Sequence, residues 1–225
     1  MKPWTVLARA RTPDGGELTL TEHVSEFAIL LDGQSLMSSR MHHSEDALAT
    51  IGCRLAKSAA APRVLVGGLG MGVTLRAALD TLPATAEVVV SELVPDVVAW
   101  NRGPIGAVAN HPLADPRVTV DERDVAETLK MNRGGFDAVL LDVDNSPAAF
   151  TVSSNSAIYD DRGLVTARRA LRPAGVLAIW SAKDDVRFEG RLKSAGFKVE
   201  RERVASHTSR GGFKHTIIVA HKVGA

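Results

Sequence analysis

Between Thr5 and Leu31 apolar and polar positions alternate in three short runs: Thr5 to Ala10, Glu17 to Glu22 with Leu18 and Leu20 on one face, and Phe27 to Leu31. The first two are separated by Pro13-Asp14-Gly15-Gly16, and the third is closed by Asp32-Gly33. Alternation makes one face of a strand apolar, and Asp-Gly or Gly-Gly accepts the positive φ of a tight turn. The stretch from Trp4 to about Leu36 therefore predicts a small antiparallel β meander. The period then lengthens. Ala47, Leu48, Ile51 and Leu55 recur at helical spacing behind Ser44-Glu45-Asp46, which suits a helix start, so a helix is predicted over Ser44 to Lys57.

Beyond Pro62 strand and helix patterns alternate. Strands are predicted near Arg63 to Gly67, Glu87 to Glu92, Arg117 to Asp121, Phe136 to Asp142 and Gly175 to Ser181. Helices fall near Gly72 to Thr81, Pro95 to Val108, Val125 to Met131 and Asp160 to Leu171. Short continuous apolar runs such as VLLD and VLAIW are what parallel strands covered on both faces require. A last helix near Val186 to Ala195 is followed by Phe197 to Val204, Gly211-Gly212 and Phe213 to Ala220, two strands that pair antiparallel if they are neighbours. The pattern predicts an α/β fold: a doubly wound, mostly parallel, seven-stranded sheet ending in an antiparallel hairpin, with a small N-terminal β segment. The expected division is residues 1–40 for that segment and 41–225 for a Rossmann-like domain.

Composition narrows the partners. The 225 residues are 45% hydrophobic and 24% charged, and 27 Lys and Arg against 26 Asp and Glu leave a formal net charge of +1. Apolar material suffices for a large core, while nucleic acid or an anionic membrane would normally need a basic excess gathered on one face. Neither is expected as a partner. The single cysteine, Cys53, has no internal disulfide partner, and no Cys/His cluster has metal-ligand spacing, so no metal is expected. No run reaches the roughly 18 apolar residues of a membrane helix, and the N-terminus lacks a signal-peptide core. A cytoplasmic protein is the expectation.

The candidate chemistry starts at Arg63-Val-Leu-Val-Gly67-Gly68-Leu69-Gly70-Met71-Gly72-Val73. A strand running into a glycine-rich turn and then a helix lets backbone approach a ligand where helix amides are free. Gly68, Gly70 and Gly72 are the candidate cofactor-binding glycines. Their GxGxG spacing is not the GxGxxG of a dinucleotide fingerprint, since position 73 is Val. Glu92 ends the next strand about 20 residues on, where an acid can accept both ribose hydroxyls of a nucleoside. Asp124, in Asp121-Glu-Arg-Asp124-Val125, reads either as an acceptor for an adenine amino group or as a helix N-cap. Asp142 closes the fourth strand, which with the first flanks the reversal of strand order in a doubly wound sheet. It would face the ligand beyond the glycine loop, and a carboxylate there can stabilise a sulfonium, orient an amine or take its proton. His42 and His43 precede the first helix, and His43 is the second candidate for a proton acceptor. Trp100, Trp180 and Tyr159 read as core or pocket aromatics, and Arg168, Arg169 and Arg172 as a solvated face.

Together these residues resemble the spermidine synthase-like family, the polyamine aminopropyltransferases within the class I S-adenosylmethionine-dependent methyltransferase superfamily. The resemblance spans nearly the whole chain. It includes Leu31-Asp32-Gly33, Glu45-Asp46-Ala47-Leu48-Ala49, the glycine loop, Glu92, Asp115-Pro116-Arg117-Val118, Asp124 and the Asp142 loop to Pro147. It implies a transferase whose donor is S-adenosylmethionine or its decarboxylated form, with ribose on Glu92, adenine on Asp124 and Asp142 nearest the transferred group. Three positions depart from the family pattern. Gly70 stands where an aspartate holds the amine of the decarboxylated donor. The D-S-S-D-P loop becomes Asp142-Val143-Asp144-Asn145 before Ser146-Pro147, so Asp144 and Asn145 are the candidate substrate-binding positions and Asn145 matches the second acid that grips a diamine. His43-Ser44-Glu45 replaces Tyr-His-Glu or Tyr-Gln-Glu. Glycine at 70 leaves space and backbone amides for the carboxylate of the intact donor, which inclines the reading towards methyl transfer to a small molecule. Aminopropyl transfer, with polyamine biosynthesis as its setting, is the alternative. A nucleoside-binding protein without turnover remains a reading of a different class, and a nicotinamide oxidoreductase is weaker because no hydride-transfer partner is evident. The acceptor is expected to be a small molecule such as an amine, and the N-terminal β segment offers edges that could pair across a homodimer.

Overall fold

The computed structural model describes residues 3–40, 42–142, 156–182, 184–205 and 214–224. Four antiparallel strands come first: β1 (Thr5–Arg11), β2 (Glu17–His23), β3 (Glu26–Leu31) and β4 (Gln34–Ser38), in the order β1-β2-β3-β4. The first three follow the alternation. β4 does not: QSLMS carries no clear period of two, and it is held by its register against β3, with Ala28 opposite Ser38 and Leu31 opposite Gln34. Leu18, Leu20, Ile29 and Leu31 turn inward and join the same core cluster as the strands of the second sheet.

That second sheet has seven strands, β5 (Arg63–Gly67), β6 (Glu87–Ser91), β7 (Val118–Asp121), β8 (Phe136–Leu141), β9 (Leu171–Ser181), β10 (Phe197–Ala205) and β11 (Lys214–Lys222). Their order is β10-β11-β9-β8-β5-β6-β7, parallel from β9 through β7 and antiparallel at β11 and β10. The fold is α/β, with helices on both faces. Within β5, Val64 and Val66 point into one core and Leu65 into the other, and β8 divides likewise, Ala138 and Leu140 from Val139 and Leu141. Val64 to Gly67 and Ala138 to Leu141 are buried because both faces are covered, which is why these runs show no polar alternation.

The helices are α1 (His43–Gly52), α2 (Val73–Thr81), α3 (Pro95–Arg102), α4 (Val125–Met131), α5 (Ser156–Tyr159), α6 (Asp161–Ala170) and α7 (Val186–Ser194). Two are shorter than the periodicity predicts. α1 stops at Gly52 and the chain continues as a 3₁₀ turn over Ala56–Ser58; α3 stops at Arg102, before Gly103 and Pro104, and resumes as a 3₁₀ turn at Gly106–Ala109. β9 starts earlier than expected, at Leu171, because α6 runs directly into it and Leu171 pairs with Phe136. The three arginines are not one solvated face. Arg168 donates to the carbonyls of Gly196 and Val223, and Arg172 pairs with Asp137 at 2.6 Å. Trp100 is core, and Tyr159 packs edge-on against Phe188 with ring centroids 5.7 Å apart. No helix among the described residues is long and apolar enough to cross a membrane.

α1 lies flush on the sheet at its last residue. A Cβ on Gly52 would stand 2.3 Å from Leu140 Cδ2 and 2.8 Å from Ala178 Cβ, so only glycine permits this approach. Gly52→Ala is expected to destabilise the protein by about 1 to 3 kcal/mol through overpacking, despite the better helix propensity of alanine. Gly190→Ala, in exposed α7 with nothing within 4 Å of the new Cβ, should instead stabilise by about 0.5 to 1 kcal/mol. Denaturant titration of both variants checks the pair; equal effects would contradict this account of Gly52.

Candidate active site

The reversal of strand order lies between β5 and β8, whose carboxyl ends open on one side of the sheet. The glycine loop leaves β5 there. Gly68, Gly70 and Gly72 have φ of +88°, +52° and +81°, a region that side chains rarely enter. Three contacts pin the loop: Gly68 N donates to Ser91 O at 2.8 Å, Leu69 N to Glu92 Oε2 at 2.9 Å, and Asn101 Nδ2 to Gly70 O at 2.8 Å. The other carboxylate oxygen of Glu92, Oε1, accepts from Val94 N at 2.9 Å. Glu92 thus ties the loop to the entry of α3. Burial raises its pKa, and the surrounding backbone amides pull the other way.

Two clefts meet above this loop. The first encloses about 820 Å³ up to its open mouth. Its floor is Gly68, Gly70, Glu92 and Asp124, and its roof is the inner face of the N-terminal sheet at Leu18, Ile29 and Leu31. Of the two readings of Asp124, the structure shows the cap: its Oδ1 accepts from Ala126 N, in the first turn of α4, at 2.7 Å, and the residue also lines the cleft. Capping uses one oxygen, so the second remains available for a ligand. The second cleft, about 690 Å³, is lined by His42, Glu45, Asp142 and Trp180 among Met37, Met71 and Val73. Leu36, Met37, Gly70 and Asp142 border both clefts.

Asp142 sits at that junction. Its amide donates to Gly67 O at 3.0 Å, and its Oδ2 accepts from the hydroxyl of Thr74, in the first turn of α2, at 2.5 Å. Burial pushes its pKa up to about 7, helped by the negative charge of Glu45 and opposed by the Thr74 hydrogen bond. The Glu45 carboxyl is itself raised by burial, although Ser44 Oγ donates to its Oε2 at 2.7 Å. A carboxylate that titrates near neutrality at the meeting of two clefts can accept a proton during a displacement.

Not every predicted residue comes to this place. His43 is exposed on the first turn of α1 and does not line either cleft; His42 does, paired with Asp46 at 3.0 Å. The helix begins one residue earlier than expected, which turns His43 outwards. Gly72 faces away too: a Cβ there would meet Pro112 Cγ at 2.8 Å and Asn101 Oδ1 at 2.9 Å, so its task is close packing under the loop rather than ligand contact. Asp144 and Asn145 lie outside the described residues. Sequence reasoning missed Thr74, Met37 and Glu45 as site residues. Thr74 follows the last glycine by two positions, a usable signal; nothing in the QSLMS run marks Met37.

This arrangement matches solved structures closely in shape. A spermidine synthase from Thermotoga maritima superposes with a TM-score of 0.74 at 17% identity, covering 97% of this chain and 72% of that one. A spermidine synthase in complex with the transition state analogue AdoDATO gives 0.70 at 17% identity, with 97% and 72% covered. The chain has a spermidine synthase-like fold. A probable spermidine synthase from Corynebacterium glutamicum gives 0.65 at 15% identity, covering 97% and 80%. In sequence, no family model and no curated protein matches the chain. The spermidine synthase-like fold is therefore carried by topology and shape, at identities too low to carry activity.

The Thr74 bond yields a direct measurement. Thr74→Val removes the donor while keeping the shape of a buried residue, so the Asp142 pKa should move above its value of about 7. Thr74→Ser should leave it in place. Carbon-13 carboxyl titration by NMR reads both variants, and an unmoved Asp142 in the valine variant would contradict the assignment.

Proposed function

We propose that the protein is an alkyltransferase that takes an adenosyl sulfonium donor in the first cleft and an amine acceptor in the second. The observation that carries this reading is the meeting of the two clefts at Asp142, with Gly68, Glu92 and Asp124 on one side and Glu45 and His42 on the other. Glu92 accepts the ribose hydroxyls and Asp124 the adenine amino group. The sulfonium then projects towards Gly70 and Asp142. The amine lone pair attacks the carbon bound to sulfur, that carbon–sulfur bond breaks, and the donor leaves as a neutral thioether. The proton released by the amine passes to Asp142. Orientation supplies much of the rate, because the donor carbon is already electrophilic. Glu45, in the second cleft, suits an acceptor that carries a second, protonated amine apart from the neutral one that attacks.

Two donors fit this scheme. The absence of an acid at position 70 favours the intact donor and hence methyl transfer, because an aspartate there would repel its carboxylate. The likeness to structures described as spermidine synthases, one holding a transition state analogue, favours the decarboxylated donor and aminopropyl transfer. Calorimetry with S-adenosylmethionine, its decarboxylated form and methylthioadenosine separates the two, and mass spectrometry of the product with a panel of amines identifies the group transferred. Donor binding without consumption across that panel would instead make the protein a nucleoside-binding protein.

Glu92→Gln places an NH₂ group against a backbone donor and removes the charge that strengthens the ribose bonds. A charge-assisted bond is worth about 1.5 to 3 kcal/mol, so donor affinity should fall more than about tenfold. Unchanged affinity in a folded variant would remove Glu92 from the site. Asp142→Asn should lower turnover by about 10² to 10⁴ with donor affinity held within a few-fold, the usual range for a lost general base. In the unaltered enzyme the ionised form is the active one, so kcat/KM should rise as pH passes through about 7, and this limb should vanish in Asp142→Asn.

A further inference from the structure

The wall between the two clefts is built by Leu36 and Met37 of β4, which border both, facing Gly70 and Asp142. Met37 lies directly over the glycine loop: a Cβ on Gly70 would stand 3.1 Å from its Sδ and 3.3 Å from its Cε. The room that a glycine at 70 provides in the sequence is therefore occupied, by a thioether reaching in from the other sheet. If ribose lies on Glu92 and base on Asp124, the substituents of the sulfonium leave the first cleft at this point. The long substituent has to pass this side chain, whereas the methyl group is short enough to stop before it. Methionine is unbranched with three rotatable bonds, so it can swing aside, at the cost of its contacts and a preferred rotamer.

We propose that Met37 is a specificity-determining residue, a movable partition that the long substituent of the donor has to displace before the donor can seat. This rests on the reading of the first cleft as an adenosyl site. It assigns the discrimination between adenosyl ligands with and without the long substituent to a residue of the N-terminal sheet rather than to the glycine loop alone. An adenosyl thioether lacking the long substituent binds without moving Met37, whereas a donor carrying it binds only to the fraction of molecules in which the partition is open.

The test uses the full chain and three ligands by calorimetry: methylthioadenosine, S-adenosylmethionine and decarboxylated S-adenosylmethionine. The quantity read is the ratio of the Kd of each long-substituent donor to that of methylthioadenosine. Met37→Ala should lower this ratio about three- to tenfold, the size expected when one rotamer displacement is no longer needed. Met37→Phe, a stiffer and larger partition, should raise it, and this second variant decides the matter should Met37→Ala fail to fold. Met37→Leu, close to methionine in volume, should keep the ratio within about twofold. Ratios unchanged in both Met37→Ala and Met37→Phe would overturn the proposal while leaving the adenosyl site intact, because methylthioadenosine would still bind. A fall in the affinity of the long-substituent donors for Met37→Ala would overturn it too, since Met37 would then support the substituent. Failure of the unaltered protein to bind methylthioadenosine at all would defeat the reading of the first cleft and this proposal with it.

Discussion

The amide of Asp142 donates to the carbonyl of Gly67 at 3.0 Å, and the geometry of the cleft depends on that bond. It is the last rung between β5 and β8, the parallel strands at which the sheet changes direction. Beyond it the two chains part: one turns into the glycine loop and the other leaves the strand at Asp142. A carboxylate and a bed of backbone amides are thereby held face to face by the buried ends of two central strands. The rigidity of the site comes from these strands, and its openness from the divergence of the loops above them.

Electrostatics adds a second constraint. Glu92, Glu45 and Asp142 each reside where burial disfavours their charge, but they are compensated unequally. Glu92 receives several backbone amides, whereas Asp142 is helped mainly by Thr74 and opposed by Glu45. A positive ligand beside Asp142 would supply the compensation that its protein neighbours withhold.

Strands such as β5 and β8 were legible in the sequence because complete burial leaves a continuous apolar run, and the glycine loop because left-handed backbone requires glycine. Glu92 and Asp142 stood out as acids closing such runs. β4 was illegible: its residues are placed by pairing with β3, and long-range register leaves no local periodicity. The early ends of α1 and α3 were equally hidden, since Gly52 and Gly103 act through close packing and turn geometry rather than through a change of hydrophobic period. His43 was preferred to His42, although only His42, one residue earlier and just ahead of the helix, lines the cleft. Thr74 and Met37 act through neighbours distant in sequence, which a single chain read in order does not reveal.

Cys53 closes α1 beneath the sheet, wholly inaccessible, and burial pushes its thiol up to about 12. At neutral pH almost none of it is thiolate, the only form that reacts readily with alkylating agents or disulfides. As the only cysteine in the chain, it leaves the folded molecule chemically silent towards thiol reagents. A cysteine introduced on the rim of the cleft would be the sole reactive handle, so a spin label or fluorophore could report on the roof and floor without any prior change to the protein.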